Sequence, residues 1–465
     1  MGPVFLHRLF DHLKSLRFQV SLVVLLLFFV ANGLIYSLKA NRLVDELGRI
    51  DADNESTYAQ VETVGDAVGT WFSVASHPLG TEFVAEGGFN WFYDSFSLSA
   101  RTGRTAPDSG SRLTLNNWMD PFEMVDWILI VRLVLSFLCV VLAYDAISGD
   151  LESGLLRQAL ANPISRGRYL AARFLADAAV VLVSLACGSL ISLLILALSG
   201  AIEIDLHLLR PCGLFLLATF LYASTFLLLA MGISALMRSS ATSLVFLLLL
   251  WAVVVVVVPQ AAYLLGVDAA RPRREFYDME WERDQQTHEA LRREGIVTRD
   301  LQSGRMDDYA IEREYARRLQ EMEAEIDGLR REMLDQEVRQ YRQTQARALV
   351  SPGAAYQYTV EAFLGTGVPR YEHFAQQAWR YREDLRDFFR TRDAADPESP
   401  HVLFLPQFMS QQPLDPAHMP RFRVRPLPLS SSVAAGMPAI LLLATETLAA
   451  FLFAFWAFAR LDLTG

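Results

Sequence analysis

Charged side chains that could recognise a partner are concentrated in residues 144–168, YDAISGDLESGLLRQALANPISRGR, between two strongly apolar stretches. Three acids, Asp145, Asp150 and Glu152, are followed by three arginines, Arg157, Arg166 and Arg168. An apolar helical face lies between them, formed by Leu155, Leu156, Ala159 and Leu160. Such side chains form ion pairs and apolar contacts rather than covalent bonds. This charged loop (residues 144–168) therefore indicates a docking surface, although a purely structural loop would have a similar composition.

Glycine and proline set the backbone of the charged loop. Asn162–Pro163 ends the amphipathic helix, because the residue before a proline is pushed out of the helical region. Ser165 is then suited to cap the helix that leads into the next apolar stretch. The sequence predicts a short helix lying across the mouth of two membrane spans.

The sequence has no pattern typical of nucleotide hydrolysis, metal binding or nucleic-acid binding. A Walker A loop needs a lysine behind a glycine-rich turn, and the only lysines, Lys14 and Lys39, lack that context. The eight histidines have no metal-ligand spacing. The net charge of −10 and the lack of a basic stripe with aromatics argue against nucleic-acid binding. We expect no ATP hydrolysis, metal, cofactor or nucleic acid on this chain.

The composition indicates membrane spans joined to soluble modules. Hydrophobic residues make up 52% of the 465 residues, yet 20% of the chain is charged. A span needs about 20 apolar residues. Six stretches meet this requirement: residues 19–38, 124–144, 174–198, 213–236, 242–265 and 434–459. The first is predicted to be a signal anchor, because its run is too long for a cleaved signal peptide.

Residues 4–18 form an amphipathic pattern ahead of the first span. One face carries Leu6, Leu9, Phe10, Leu13 and Leu16. Charged and polar residues surround the other face: His7, Arg8, Asp11, Lys14 and Arg17. A helix with this pattern lies in the membrane interface. The alternative is simply a polar end of the first span.

Six spans place both termini on one side of the membrane. Basic residues near the span ends of that side are Arg8, Lys14, Arg17, Arg157, Arg166, Arg168, Arg173, Arg238 and Arg460. By the positive-inside rule this side is cytoplasmic. Basic residues also flank spans on the other side, for example Lys39 and Arg42, but there they belong to long loops, where the rule is weaker.

Two long segments face the opposite side, residues 39–123 and 266–433. In the second, apolar residues at spacings of three and four predict a helix with a coiled-coil-like seam: Ile311, Tyr315, Leu319, Met322, Ile326, Leu329 and Met333. Its other predicted parts are helices at 274–294 and 370–391, a hairpin turn at 295–304 and an extended return at 397–428.

The stretch YDAISGDLESGLLRQALANPISRGRYLAAR resembles the cytoplasmic loop of ABC type-2 permeases. The matching positions are Asp145, Asp150, Glu152, Gly154, Arg157, Asn162, Pro163, Ser165 and Arg166. Leu155 stands where the family commonly has threonine, and Asp150 where it commonly has glutamate. The helix before the first span is similar to the family's elbow helix, and residues 351–374 resemble the extracytoplasmic domain of a large-loop subgroup.

The resemblance implies the transmembrane subunit of an ABC exporter in a bacterial cytoplasmic membrane. A separate ATPase, which would use the ATP, is expected to dock on the charged loop, and a second permease subunit, identical or sister, is expected beside this chain. Arg157 and Arg166 would pair with acids of the ATPase, while Leu156 and Leu160 would supply apolar contact. Membrane lipid and an extracytoplasmic protein are further expected partners.

The predicted fold is an all-α integral membrane protein with six transmembrane helices, an N-terminal interfacial helix and a large helical extracytoplasmic domain. Its predicted parts are 1–38 with the elbow helix and first span, 39–123 outside, 124–265 with four spans and the coupling loop at 145–173, 266–433 outside, and 434–465 with the sixth span.

Two charges fall inside predicted spans, Arg132 in the second and Glu446 in the sixth. A lone charge there costs on the order of 3 kcal/mol on insertion scales, so partners are expected. Their similar depth allows an Arg132–Glu446 pair, either as a moving polar seam or as a static bridge. The alternative function for the whole chain is a membrane-anchored scaffold or sensor that presents its external helical domain to partners.

Overall fold

The computed structural model describes residues 2–86, 94–107, 125–161, 164–264, 273–296 and 309–461. Six of its helices are long and apolar enough to cross a membrane, and they are numbered here as spans 1 to 6: Leu16–Ala59, Trp127–Glu152, Arg166–Leu198, Arg210–Leu236, Ser240–Ala262 and Leu429–Ala459. The predicted six-span helical fold is confirmed. With six spans, both chain termini and the charged loop lie at one end of the bundle, the loop end; the opposite end is the domain end.

Span 1 belongs to a helix much longer than the predicted 19–38. It runs from Leu16 to Ala59, because no proline interrupts the polar sequence beyond residue 38. Its 44 residues extend about 66 Å, whereas the hydrocarbon core of a bilayer is about 30 Å thick. Its second half therefore projects from the domain end. A separate N-terminal helix, Gly2–Lys14, precedes it, and Ser15 between the two accepts a bond from the backbone N–H of Phe18.

A small antiparallel sheet was not predicted from the sequence. Its strands are β1 (Trp71–Ala75), β2 (Ser95–Ser99) and β3 (Thr105–Pro107), in the order β1-β2-β3. The sheet packs on the helix Val368–Ala394, and Phe96 contacts Phe374 with their ring centres 5.5 Å apart. The segments 39–123 and 266–433 thus share one hydrophobic core.

The second long segment is helical, as its periodicity predicts. Its helices are Arg273–Arg293, Ala310–Ala348, Pro352–Phe363 and Val368–Ala394. The first two lie side by side, joined by ion pairs such as Arg330–Glu280 at 2.7 Å. Most of the predicted hairpin turn at 295–304 lies outside the described residues. Between 397 and 428 only two short 3₁₀ turns form, in keeping with the predicted extended return.

Two pieces of the long segments are inserted into the domain end of the bundle. The helix Pro352–Phe363 (the inserted helix) packs between spans, where Tyr356 stacks on Tyr222 with ring centres 4.7 Å apart. Span 6 accommodates it at Gly436, where a Cβ would lie 2.8 Å from the Phe363 ring. Residues 81–85 (the inserted turn) are also buried, and the Thr81 hydroxyl donates to the Leu364 carbonyl at 3.5 Å. Together these pieces close the domain end.

A buried amide holds the spans together below the inserted turn. Asn32 of span 1 accepts bonds from the Trp127 indole at 3.0 Å and the Ser192 hydroxyl at 2.8 Å. Its amide nitrogen donates to the carbonyls of Phe83 and Val125. Buried polar side chains of this kind join helices where water cannot compete. Spans 1, 2 and 3 and the inserted turn are therefore fixed to one another at a single residue.

Candidate coupling surface

The charged loop folds into two short helices at the loop end, Ser148–Glu152 and Leu155–Ala161. Gly154 separates them with a φ of +74°, a conformation that a residue with a Cβ rarely adopts. The predicted helix break, Asn162–Pro163, lies outside the described residues. Ser165 caps span 3 as predicted, since its hydroxyl accepts a bond from the Arg168 N–H.

Asp145 joins the charged loop to the N-terminal part of the chain. Its carboxylate oxygens lie 3.2 Å from the Arg8 guanidinium and 2.9 Å from that of Arg17. Arg8 also donates to the carbonyl of Leu142, near the end of span 2, at 2.9 Å. Asp145 is therefore held between the N-terminal helix and the start of span 1.

Each further acid of the loop is tied to a different span. The carboxylate of Asp150 pairs with Arg173 and accepts a bond from the Tyr169 hydroxyl, both on span 3. Glu152 accepts bonds from the backbone N–H of Ser240 at 3.0 Å and from its hydroxyl at 2.8 Å. Because Ser240 begins span 5, a carboxylate there also complements the positive end of the helix dipole.

Arg166 ties the end of the loop to span 6. Its guanidinium donates to the carbonyls of Phe458 at 3.1 Å and Ala459 at 2.6 Å. These are among the last carbonyls of span 6, which lack partners within their own helix. The family resemblance implies a pair between Arg166 and an acid of a partner protein. In the structure Arg166 is instead bound within the chain, at the negative end of a helix.

Asp177 is a site residue that the sequence analysis missed. It lies in span 3, fully buried, with its Oδ1 2.6 Å from His12 Nε2 and 3.3 Å from Arg8 Nε. Burial alone would lower the pKa of Arg8, but Asp177 and Asp145 outweigh it and raise the pKa above its ordinary value. An acid eleven positions into an apolar span was the signal that could have revealed it.

The N-terminal helix is therefore oriented by its polar side. Arg8, which the pattern places on the charged and polar face, points into the bundle toward Asp177, and so does His12. The apolar residues of the opposite side are exposed on the surface of the protein: Leu6, Phe10, Leu13 and Leu16. An apolar face directed outward is what a helix in the membrane interface requires.

The exposed surface of the charged loop differs from the predicted one in which leucine is exposed. Leu156 is fully buried against the bundle, so it cannot supply the expected contact, and Leu160 is only half-exposed. The exposed leucine is Leu155, at 48%. Arg157 is exposed beside it, as are Glu152 and Ser153. The surface is thus acidic at one end, basic at the other and apolar at Leu155.

The two intramembrane charges do not form a pair with each other. Arg132 lies in a π-helical stretch of span 2 and donates to Gln357 of the inserted helix. Gln357 in turn donates to the buried Glu361 at 2.7 Å. Among the described residues, the buried Oε2 atom of Glu446 has no hydrogen-bond partner. The Arg132–Glu446 pair that their similar depth allows does not form in this structure, because the inserted helix supplies the partner of Arg132.

Within the described ranges, no three His, Cys, Asp or Glu side chains are grouped as they would be at a metal site. The features above define a polytopic membrane protein whose loop end gathers contacts from almost every span. The family model described as ABC-2 family transporter protein matches residues 4–463, and the chain belongs to this family of transporter permeases. The comparison with curated proteins gives no match. The predicted resemblance is confirmed, and the chain is a multi-pass transmembrane transport subunit of a generally non-catalytic kind.

Proposed function

We propose that this permease couples a separate ABC ATPase, through the charged loop, to the export of a substrate. The observation that carries the proposal is the attachment of four charged loop residues to four different helices. Asp145 binds the N-terminal helix, Asp150 binds span 3, Glu152 binds span 5 and Arg166 binds span 6. A force applied to the loop would therefore reach most of the bundle at once.

The loop end is proposed to face the cytoplasm of a bacterium, and the domain end the outside. The support is the basic residues at the loop end, such as Arg17, Arg168 and Arg238. In this orientation the closed domain end is the exit, and the inserted helix and inserted turn must separate before a substrate can leave. ATP is used by the partner subunit, and this chain binds no cofactor of its own.

A second permease subunit is proposed to complete the transporter, either a copy of this chain or a sister. The support is the wide apolar surface of the spans. Span 5 in particular exposes several apolar side chains: Val245, Phe246, Leu249, Val253, Val256 and Val257. Lipid or a second subunit would cover such a surface in a membrane.

The test is co-purification of the solubilised chain with its ATPase. Leu155→Asp and Arg157→Glu change exposed residues of the charged loop. Arg313→Glu changes an equally exposed arginine at the domain end and is the matched control. We expect an ATP-binding subunit with the wild type and the control, and at least a tenfold loss with the loop variants. A single residue at the centre of an interface can carry such an effect.

Two outcomes would overturn this proposal. Equal recovery of the ATPase with all four proteins would show that it docks elsewhere. Recovery of envelope proteins alone would favour the scaffold or sensor function, for which the 39-residue helix Ala310–Ala348, about 58 Å long, would be the presenting element.

A further inference from the structure

A cavity of about 310 Å³ lies at the domain end, away from the charged loop. It is enclosed by span 1 around Leu43, by the turn Pro78–Gly80 and by the connection between spans 3 and 4 around Ile202. Its volume is at the lower end of the range of small-molecule sites. The inferred occupant depends on the membrane insertion of the chain and not on the proposed docking of an ATPase.

The mouth of the cavity lies where a bilayer changes from hydrocarbon to headgroups. Span 1 begins at Leu16, and about 20 helical residues cross the hydrocarbon core, so Tyr36 in the cavity wall is near its edge. Span 3 ends at Leu198, which is 80% exposed, and Ile204 in the following turn is 57% exposed. Apolar side chains that exposed at a span end contact lipid. Lipid of the surrounding bilayer would therefore lie beside the connection between spans 3 and 4, which forms one wall of the cavity.

The walls combine an apolar side with a carboxylate rim. Leu43, Leu79 and Ile202 supply apolar surface, and Glu203 and Asp205 stand at the connection between spans 3 and 4. Asp205 accepts a bond from the Leu208 N–H at 2.9 Å as the cap of its helix. Glu203 is exposed and makes no ion pair with any residue that the structure describes.

Two cations near the cavity are paired with other acids. Lys39 pairs with Glu86, and Arg370 pairs with Glu82, which also accepts a bond from the Tyr36 hydroxyl at 3.2 Å. Neither of these two cations therefore compensates the negative charge of the rim. A ligand that suits both surfaces has an apolar body and a positively charged group that can donate hydrogen bonds.

We propose that this cavity binds an aminophospholipid of the surrounding bilayer, with its primary ammonium group on Glu203 and Asp205 and its apolar part against Leu43, Leu79 and Ile202. A choline headgroup carries the same charge but no N–H donor, and a glycerol headgroup carries no cation. The site should therefore discriminate lipids by headgroup and not by chain.

The test uses the full chain in nanodiscs of equal parts phosphatidylethanolamine, phosphatidylcholine and phosphatidylglycerol, followed by mass spectrometry of the lipids retained by the protein. We expect phosphatidylethanolamine to be enriched about three- to fivefold, the size of effect an exposed ion pair gives. Glu203→Gln should remove the enrichment, and Ala201→Trp, which fills the cavity, should remove the bound lipid. Asp51→Asn, at an exposed acid further along the helix of span 1, should leave the enrichment unchanged.

The melting temperature of each variant in detergent shows whether it is folded. Glu203→Gln alters an exposed side chain and keeps the test valid even if Ala201→Trp does not fold. Equal retention of the three lipids by the wild type would overturn the proposal, and so would an enrichment that survives Glu203→Gln.

Discussion

The two ends of the membrane bundle are built in opposite ways. At the loop end, ion pairs join short segments to the ends of several helices, and some of these pairs are partly exposed, such as Asp145 with Arg17. At the domain end, the inserted turn and the inserted helix come from distant parts of the chain and fill the space between the spans. Ion pairs attach the helix ends to one another at the loop end, whereas inserted segments close the bundle at the domain end.

This difference suggests a division of roles. Helix ends that are joined by ion pairs, as at the loop end, can move as a unit without exposing a hydrophobic core. The domain end can open only if buried contacts of the inserted segments break. The Arg370–Glu82 pair at the domain end shows this, because its side chains are only 11% and 7% exposed. Asp177 and the Arg173–Asp150 pair are exceptions at the loop end, since they are about as deeply buried as the Arg370–Glu82 pair.

The largest effect is expected from Asp177→Ala. The change would leave Arg8 and His12 without their buried partner, and breaking a buried ion pair costs about 3–5 kcal/mol. We expect the free energy of unfolding to fall by that amount, and cysteines placed on the N-terminal helix to become reactive. The measurements are a titration with a denaturing detergent in mixed micelles and a thiol-labelling rate.

The control for that experiment is Asp11→Ala. Asp11 is exposed and, among the residues that the structure describes, pairs with His7 on the same helix, so its loss should change the stability by less than about 0.5 kcal/mol. Equal effects of the two changes would mean that Asp177 does not anchor the N-terminal helix.

Much of this fold is predictable from local sequence. Long apolar runs identify the six spans, and Ser165 identifies the start of span 3. The inserted helix escaped notice because its 12 residues are too short for a span and resemble an ordinary amphipathic helix. The sheet escaped notice because β1 and β2 are joined through pairing across 20 or more residues, which local periodicity does not show.

The charged loop is recognisable from the sequence, and its role as a docking site stays a prediction, but the internal partners of its residues are not predictable in the same way. Periodicity shows that Leu155 and Leu156 differ in orientation, yet only the position of the neighbouring spans decides that Leu156 is the buried one. Likewise, the partners of Arg132 and Arg166 come from residues 225 and 292 positions away, so only the tertiary structure reveals them.

A smaller effect, and one that depends on pH, is expected from Glu82→Gln at the domain end. The change removes the charge that Arg370 faces, while the amide can still accept a hydrogen bond, so the loss should be about 2 kcal/mol at pH 7. Denaturing-detergent titrations measure it, with Glu62→Gln, at an exposed acid, as the control. A loss no larger than that of the control would mean that the Arg370–Glu82 pair does not hold the domain end closed.

The pH profile of that pair has a definite sign. Burial alone would raise the pKa of Glu82, but Arg370 and the Leu79 N–H outweigh it and hold the pKa below its ordinary value. A carboxylate with a lowered pKa stabilises the fold above its unfolded pKa, near 4.3, and that stabilisation is lost as the pH falls through the folded pKa. The stability difference between wild type and Glu82→Gln should therefore be constant from pH 6 to 8 and shrink below about pH 4. A difference that grows toward acid pH would contradict the ion pair.

The smallest effect is expected from Arg166→Gln at the loop end, and it tests whether the attachments there are individually weak. Arg166 donates to the last carbonyls of span 6, and a cation at a helix C-terminus contributes about 0.3–1 kcal/mol. Glutamine can still donate one hydrogen bond, so the unfolding free energy should fall by less than 1 kcal/mol. Transport should fall much further, because span 6 would no longer follow the loop.

Arg168→Gln, two residues along the same helix, is the matched control. If stability and transport fell in proportion, Arg166 would be a structural cap alone, and the loop end would not act as a set of attachments that moves the spans.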